Sequence, residues 1–208
     1  PAVLSFLTPS MDKDRQIFPS RIKSMQLISK IAQDLSELLP RRIGRYDDGF
    51  NINCTGDTFQ STQTPTILFE AGHFPGDYER EVTRKYVFLA LISVLKSISE
   101  KNFQQIDYQK YQEIPENEKL FNDIILREAN SENGVVDIAI QYKEMIKDGK
   151  LAFFPEIEKI APKIKKFAHK EIFCENKKIE INDENMLTEN VIVNKIVLNG
   201  VELPLKCE

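Results

Sequence analysis

Apolar residues fall into blocks whose spacing changes along the chain. Residues 2–7, Ala2-Val3-Leu4-Ser5-Phe6-Leu7, are apolar except at Ser5 and read as a buried strand that stops at Thr8-Pro9-Ser10. Ile22, Met25, Ile28, Ile31, Ala32, Leu35, Leu38 and Leu39 then recur at three and four. This spacing predicts a helix from about Ser20 to Leu39 with one stripe facing a core. Ser20 is the expected N-cap, its hydroxyl accepting an orphan backbone N–H, and Pro40 ends the helix. Residues 41–64 are polar and turn-rich, and a loop of that length inside a compact domain is usually functional or disordered. Pro65 leads into Thr66-Ile67-Leu68-Phe69, a second apolar run that reads as a buried strand and ends on Glu70-Ala71-Gly72-His73-Phe74-Pro75-Gly76. Asp77 opens a helix predicted to run to about Ile98, with Glu79 and Glu81 in the first turn, where the dipole favours them. The middle of this helix is apolar nearly all round, which predicts a helix sandwiched in the core. Strand, helix, loop, strand, helix is an α/β pattern. Both strands are apolar throughout, as in a sheet with helices on both faces.

The rest of the chain changes character. Residues 101–117 are polar, contain Pro115, and read as a linker. Glu118 to Ala129 reads as a helix. Val136, Ile138, Ile140 and Tyr142 alternate as one face of a strand. Leu151–Phe154, Lys178–Ile181 and Val191–Leu198 read as further strands, and Asn199-Gly200 between apolar runs is a strong hairpin signal. The expected organisation is therefore an α/β part over residues 1–100, a linker over 101–117 and a small β-rich appendage over 118–208.

Composition narrows the class. The 208 residues are 41% hydrophobic and 29% charged, which excludes collagen-like, low-complexity and disulfide-scaffold chains. The net charge of -4 argues against a nucleic-acid partner. The longest apolar run, Val87 to Val94, is too short to cross a bilayer, so no membrane partner is expected. Cys54, Cys174 and Cys207 form an odd, scattered set that suits free thiols in a reducing compartment, hence a cytoplasmic location. His73 and His169 are the only histidines. The chain begins at Pro1 and passes at once into a strand, the pattern of a domain that starts upstream.

Glu70 is the most suggestive residue, a carboxylate ending an apolar strand before a glycine-containing turn. Open α/β sheets place ligands at the carboxyl ends of their strands. Partial desolvation there would raise its pKa toward values useful to a general base; satisfaction by the backbone of the Ala71-Gly72 turn is the structural alternative. Glu70 and His73 could belong to a di-metal carboxylate site only on a helix, which Pro75 and Gly76 oppose. Arg42 and Arg45 could grip a carboxylate, or simply lie in a solvated loop. The basic run Lys159, Lys163, Lys165, Lys166 and Lys170 could bind an acidic partner, but a solvated face is the commoner use, with Ile160, Ile164 and Phe167 packing beneath it. Cys174 reads as a buried thiol.

The stretch Thr66-Ile67-Leu68-Phe69-Glu70-Ala71-Gly72-His73-Phe74-Pro75 follows Arg45-Tyr46-Asp47-Asp48-Gly49-Phe50-Asn51 and Cys54-Thr55-Gly56-Asp57-Thr58. Together these resemble the zinc carboxypeptidases of the carboxypeptidase A type, in a bacterial branch, over roughly residues 1–100. The resemblance implies a mixed sheet with helices on both faces and a zinc-bound water. It casts Glu70 as the general base and acid that accepts the proton of that water and passes it to the leaving amine. It casts Tyr46 as a substrate clamp and Thr55, Gly56, Asp57 and Thr58 as pocket lining, with Arg45 as a further substrate contact. Turn capping and loop packing are the alternative for Tyr46 and Asp57.

The departures are equally specific. The family's His-x-x-Glu zinc pair does not occur here, since His73 precedes Phe74-Pro75-Gly76 and His169 precedes Lys170-Glu171-Ile172. The resemblance therefore implies either the C-terminal half of a longer enzyme's catalytic domain, which the opening strand favours, or a remnant of one, in both cases without catalytic zinc or peptidase activity of its own. The expected substrate is a peptide or small amide near a free carboxylate. The expected partner is the missing N-terminal half of the same domain, with self-association through exposed apolar surface as the other possibility. Hydrolysis of small N-acyl or amino-acid amides, and a non-catalytic binding module, are the rival functions.

Overall fold

β1, Leu4–Leu7, lies at the centre of a three-stranded sheet in the first unit of the chain. The computed structural model describes residues 2–184 and 186–205, and it is a mixed α/β protein in two units, Pro1–Lys119 and Leu120–Glu208. β2, Ile43–Arg45, runs parallel to β1 on one side, and β3, Leu68–Ala71, runs antiparallel on the other. The register sets Ser5 opposite both Gly44 and Glu70.

α1, Pro19–Leu35, starts one residue earlier than expected because Pro19 occupies the first turn, where its fixed φ suits a helix and its missing N–H costs nothing. Ser20 is not the N-cap. Phe18 holds that position without a side-chain hydrogen bond, and the Ser20 hydroxyl instead accepts from Gln60 Nε2 at 2.7 Å. Met25, Ile28, Ile31 and Leu35 form the buried stripe. Between α1 and β3, the expected loop contains β2 and α2, Thr55–Ser61. α3, Glu81–Glu100, starts four residues after Asp77. The Asp77 carboxylate reaches forward to accept the N–H groups of Val82 at 3.1 Å and Thr83 at 2.8 Å, so it caps this helix from outside.

Three expectations fail in this unit, the first two because the unit has few layers. β3 is an edge strand with Leu68 exposed, because only β1 flanks it among the described residues. Among the described residues α3 is packed on one side, through Ala90 and Val94, while Phe88, Leu91, Ile92, Leu95 and Ile98 are exposed. Residues 101–117 are not a linker. They form a 3-10 turn (Asn102–Gln105) and α4, Lys110–Glu113, and they bury Phe103, Tyr111 and Ile114 in the core of the first unit. The Arg45 N–H donates to Pro115 O at 2.7 Å and the Asn117 N–H donates to Arg45 O at 2.8 Å, so this segment closes the outer edge of β2. Three apolar residues in a polar stretch give no periodicity from which to read that burial.

Among the described residues, the regular elements of the second unit are all strands. Residues expected as a helix after Glu118 form β4, Phe121–Ser131, where the β-branched Ile124-Ile125 pair favours an extended chain. With β5, Gly134–Lys147, β6, Lys150–Ala161, and β7, Phe167–Phe173, it makes a sheet ordered β6-β5-β4-β7, in which β7 runs parallel to β4. Phe167 is exposed, not packed beneath the lysines; Ile164 is the buried member of that run. A smaller sheet joins β8, Ile179–Ile181, β9, Ile196–Leu198, and β10, Val201–Glu202. Asn199 and Gly200 take positive φ between β9 and β10, as a two-residue hairpin turn requires. The first part of the expected strand 191–198 instead bonds to β6, through Ile157 N–H to Val191 O at 3.0 Å and Val193 N–H to Pro155 O at 2.7 Å. Val136, Ile138 and Ile140 enter one core with Ile124, Leu126, Ile157, Ile179 and Ile196.

Asp137 is the buried charge of this unit. It accepts from the N–H of Ile164 at 2.9 Å and of Glu128 at 3.0 Å, and from Arg127 Nη1 at 3.0 Å. Burial alone pushes its pKa up, but these hydrogen bonds and the guanidinium outweigh burial and hold it below the ordinary carboxylate value. A folded pKa below the unfolded one stabilises the fold above the unfolded pKa, and that stabilisation fades as pH falls through the folded value. Chemical denaturation followed between pH 7 and pH 2 should show stability falling below about pH 4. Asp137→Ala should cost about 3 kcal/mol at neutral pH and flatten that acid dependence.

Candidate functional site: Glu70 and the loops beyond β1 and β2

The residues after Glu70 have identifiable structural duties. A Cβ on Gly72 would stand 2.1 Å from the carbonyl oxygen of Ala2, so only glycine allows the backbone of this turn to lie against the start of β1. The Gly72 N–H donates to Val3 O at 2.9 Å, and the His73 N–H donates to Ala2 O at 3.3 Å. Arg80 Nη2 donates to the carbonyls of Ala71 at 2.6 Å and Gly72 at 2.9 Å, clamping the turn from its other side. Phe74 packs against the core, stacks on Tyr86 with centroids 6.2 Å apart, and lies under the Arg42 guanidinium at 5.3 Å. Gly76 takes φ +72° on the way to the Asp77 cap. The string Ala71 to Arg80 is thus a backbone turn held against β1, and it directly follows half-buried Glu70 on β3. The neighbours of Glu70 in the cross-strand row are Ser5 and Gly44, both small.

The other predicted residues gather elsewhere. Tyr46 directly follows β2, donates its N–H to Phe6 O at 3.0 Å and is 42% exposed. β1 lies between it and Glu70, and Tyr46 stands further along β1 than the Ser5 level of Glu70. Arg45 is engaged within the fold. Its Nη2 donates to Glu116 at 2.8 Å, and its guanidinium lies 5.6 Å from the Tyr111 ring. Thr55, Gly56, Asp57 and Thr58 form the first turn of α2 and not an open loop. Gly56 approaches Pro9 so closely that a Cβ would meet Pro9 Cγ at 2.9 Å. The buried Asp57 carboxylate accepts backbone N–H groups of Asn51 and Ser10, and burial outweighs those bonds to push its pKa up. Thr58 Oγ1 donates to the carbonyls of Ile52 and Cys54, both at 3.1 Å.

Around these loops lies a buried polar cluster that periodicity does not reveal. Arg21 is 1% exposed, ion-pairs with Asp48 and donates through Nη1 to Arg15 O at 2.7 Å. Ser10 Oγ donates to Asp48 O at 2.7 Å, and the Thr8 N–H donates to the hydroxyl of fully buried Tyr111 at 3.4 Å. Burial pushes the Tyr111 pKa up. Three atoms here, Thr8 Oγ1, Arg21 Nε and Gln60 Oε1, are buried without a partner among the described residues. The available sequence signal is an arginine directly before the apolar stripe of α1, with Asp47-Asp48 in a turn-rich segment. The cluster sits beyond the carboxyl ends of the parallel strands β1 and β2, where α/β sheets place ligands.

Among the described residues, no three His, Cys, Asp or Glu side chains gather so as to hold a metal ion. The described residues by themselves do not fit a zinc centre. Cys54 is exposed beside Asp57, while Cys174 is fully buried in the second unit and its thiol is pushed up to about 11, mainly by burial. Cys207 lies outside the described residues. No helix of the described residues is long and apolar enough to cross a membrane. No known protein family, curated protein or solved structure matches the chain.

Two outcomes test this geometry. Gly72→Ala should destabilise the first unit by about 1–3 kcal/mol, because either the turn or β1 must move, and a lowered thermal midpoint reports it. Iodoacetamide at pH 8 should alkylate Cys54 in the native protein and reach Cys174 only after denaturation, which peptide mass mapping distinguishes.

Proposed function

We propose that this chain is the C-terminal part of a zinc-carboxypeptidase-like hydrolase, in which Glu70 acts as general base and then general acid in amide hydrolysis near a free carboxylate. The observation that carries this reading is the division of labour around Glu70. Gly72, Phe74, Gly76, Asp77 and Arg80 each have a structural duty, and together they fix the turn that follows half-buried Glu70 and so the level of Glu70 on the sheet. Fixed placement of this kind is what proton transfer at a set point requires. In this reading Tyr46 and the start of α2 are the substrate side, although β1 separates Tyr46 from Glu70. The metal ligands and the remaining strands come from the other half of the domain. The open edge of β3 is where such a strand pairs, since an unpaired row of backbone groups is a template for strand addition.

In the longer protein that this reading requires, Glu70→Gln keeps the size of the side chain and removes its basicity. The expected loss in kcat is about 10²–10⁴-fold, with bound zinc unchanged by elemental analysis. Near-normal turnover by the zinc-loaded variant would overturn the assignment.

A further inference from the structure

We propose that the buried polar cluster beyond β1 and β2 is an internal water site, in which ordered water accepts from Arg21 Nε and donates to the buried oxygens of Thr8 and Gln60. The proposal rests on this cluster alone and is independent of the hydrolase reading. Thr8, Arg21 and Gln60 are 0%, 1% and 0% exposed, and each holds a buried polar atom without a partner among the described residues. The three side chains belong to one circuit. Gln60 Nε2 donates to Ser20 Oγ at 2.7 Å, and Arg21 follows Ser20 on α1. The Arg21 guanidinium pairs with Asp48, whose backbone carbonyl accepts from Ser10 Oγ at 2.7 Å. Thr8 stands just before Pro9 and Ser10, and its N–H donates to the Tyr111 hydroxyl at 3.4 Å. That hydroxyl lies within electrostatic reach of both Asp48 and Arg21.

The chemistry of the three atoms selects the occupant. Arg21 Nε can only donate, Gln60 Oε1 can only accept, and Thr8 Oγ1 can do both. An anion would serve Arg21 Nε but would be repelled by the Gln60 carbonyl oxygen and the Asp48 carboxylate. A cation would be repelled by the guanidinium. Water both donates and accepts, so it offers each atom the complementary role. Burial selects by size as well, since side chains so fully enclosed exclude a ligand that keeps one end in solvent. A charged donor left unpaired in the interior costs more than immobilising a water molecule. Water held in this way ties the end of β1 to α1 and α2.

A high-resolution crystal structure of the 208-residue chain tests this directly. The expected result is an ordered water within about 3.2 Å of Arg21 Nε that also reaches Thr8 Oγ1 or Gln60 Oε1. Thr8→Val, which keeps the shape of the side chain, reads the same question through the sign of its effect. A hydroxyl bonded to water makes this substitution lower the folding equilibrium constant by about fivefold, the loss of one hydrogen bond. A hydroxyl buried without any partner makes it raise that constant, because a desolvated polar group gives way to a methyl. Arg21 Nε without water in a well-ordered crystal overturns the proposal, and so does density there for an ion or a larger solute. A Thr8→Val variant as stable as the wild type, or more stable, overturns it as well.

Discussion

The approach of the Gly72 backbone to Ala2 and Val3 is the constraint on which the first unit depends. It requires a residue without a Cβ, and it yields two backbone hydrogen bonds at the point where β3 ends. Those bonds fix the register of β3 on β1, and a shift of one residue would turn every side chain of β3 to the opposite face. The register places Glu70 beside Ser5 and Phe69 beside Phe6, whose rings meet edge to face at 5.1 Å. Arg80 and Asp77 secure the far side of the same turn, one holding its carbonyls and the other starting α3. Position of the carboxylate and entry of the helix are therefore set by one short segment.

Two buried polar networks, one in each unit, are satisfied to different degrees. In the second, Asp137 and Arg127 form a closed network in which backbone N–H groups and a guanidinium satisfy a buried carboxylate. In the first, the cluster around Arg21 and Asp48 keeps buried polar atoms without partners among the described residues. A satisfied network rigidifies a core, whereas an incompletely satisfied one calls for a further hydrogen-bonding group such as water or ligand. Its position beyond β1 and β2, together with Tyr46 and Asp57, makes that side of the sheet the more polar one.

Local patterns were legible in the sequence wherever one residue type has one physical use. The stripe Met25, Ile28, Ile31 announces α1, and Asn199-Gly200 announces the β9–β10 turn. The alternation of Val136, Ile138 and Ile140 announces a strand face. Patterns failed where burial depends on layers that sequence does not count. The apolar run of α3 predicts a helix covered all round, yet among the described residues only one side is buried. Phe103, Tyr111 and Ile114 are too sparse to mark their segment as core. Glu70 was legible as a strand-end carboxylate, but its antiparallel direction was not, because direction depends on long-range pairing with β1. Arg21 escaped because a helix stripe is read from its apolar members, and a buried ion pair interrupts no period.

The central claim is that Glu70 serves hydrolysis at a free C-terminus. Its most direct test uses the longer zinc-loaded protein and a pair of peptides that differ only in whether the terminal carboxylate is free or amidated. The account predicts release of the C-terminal residue from the free peptide and little or none from its amide. Equal release from both, or release from neither by folded and zinc-loaded protein, would contradict it.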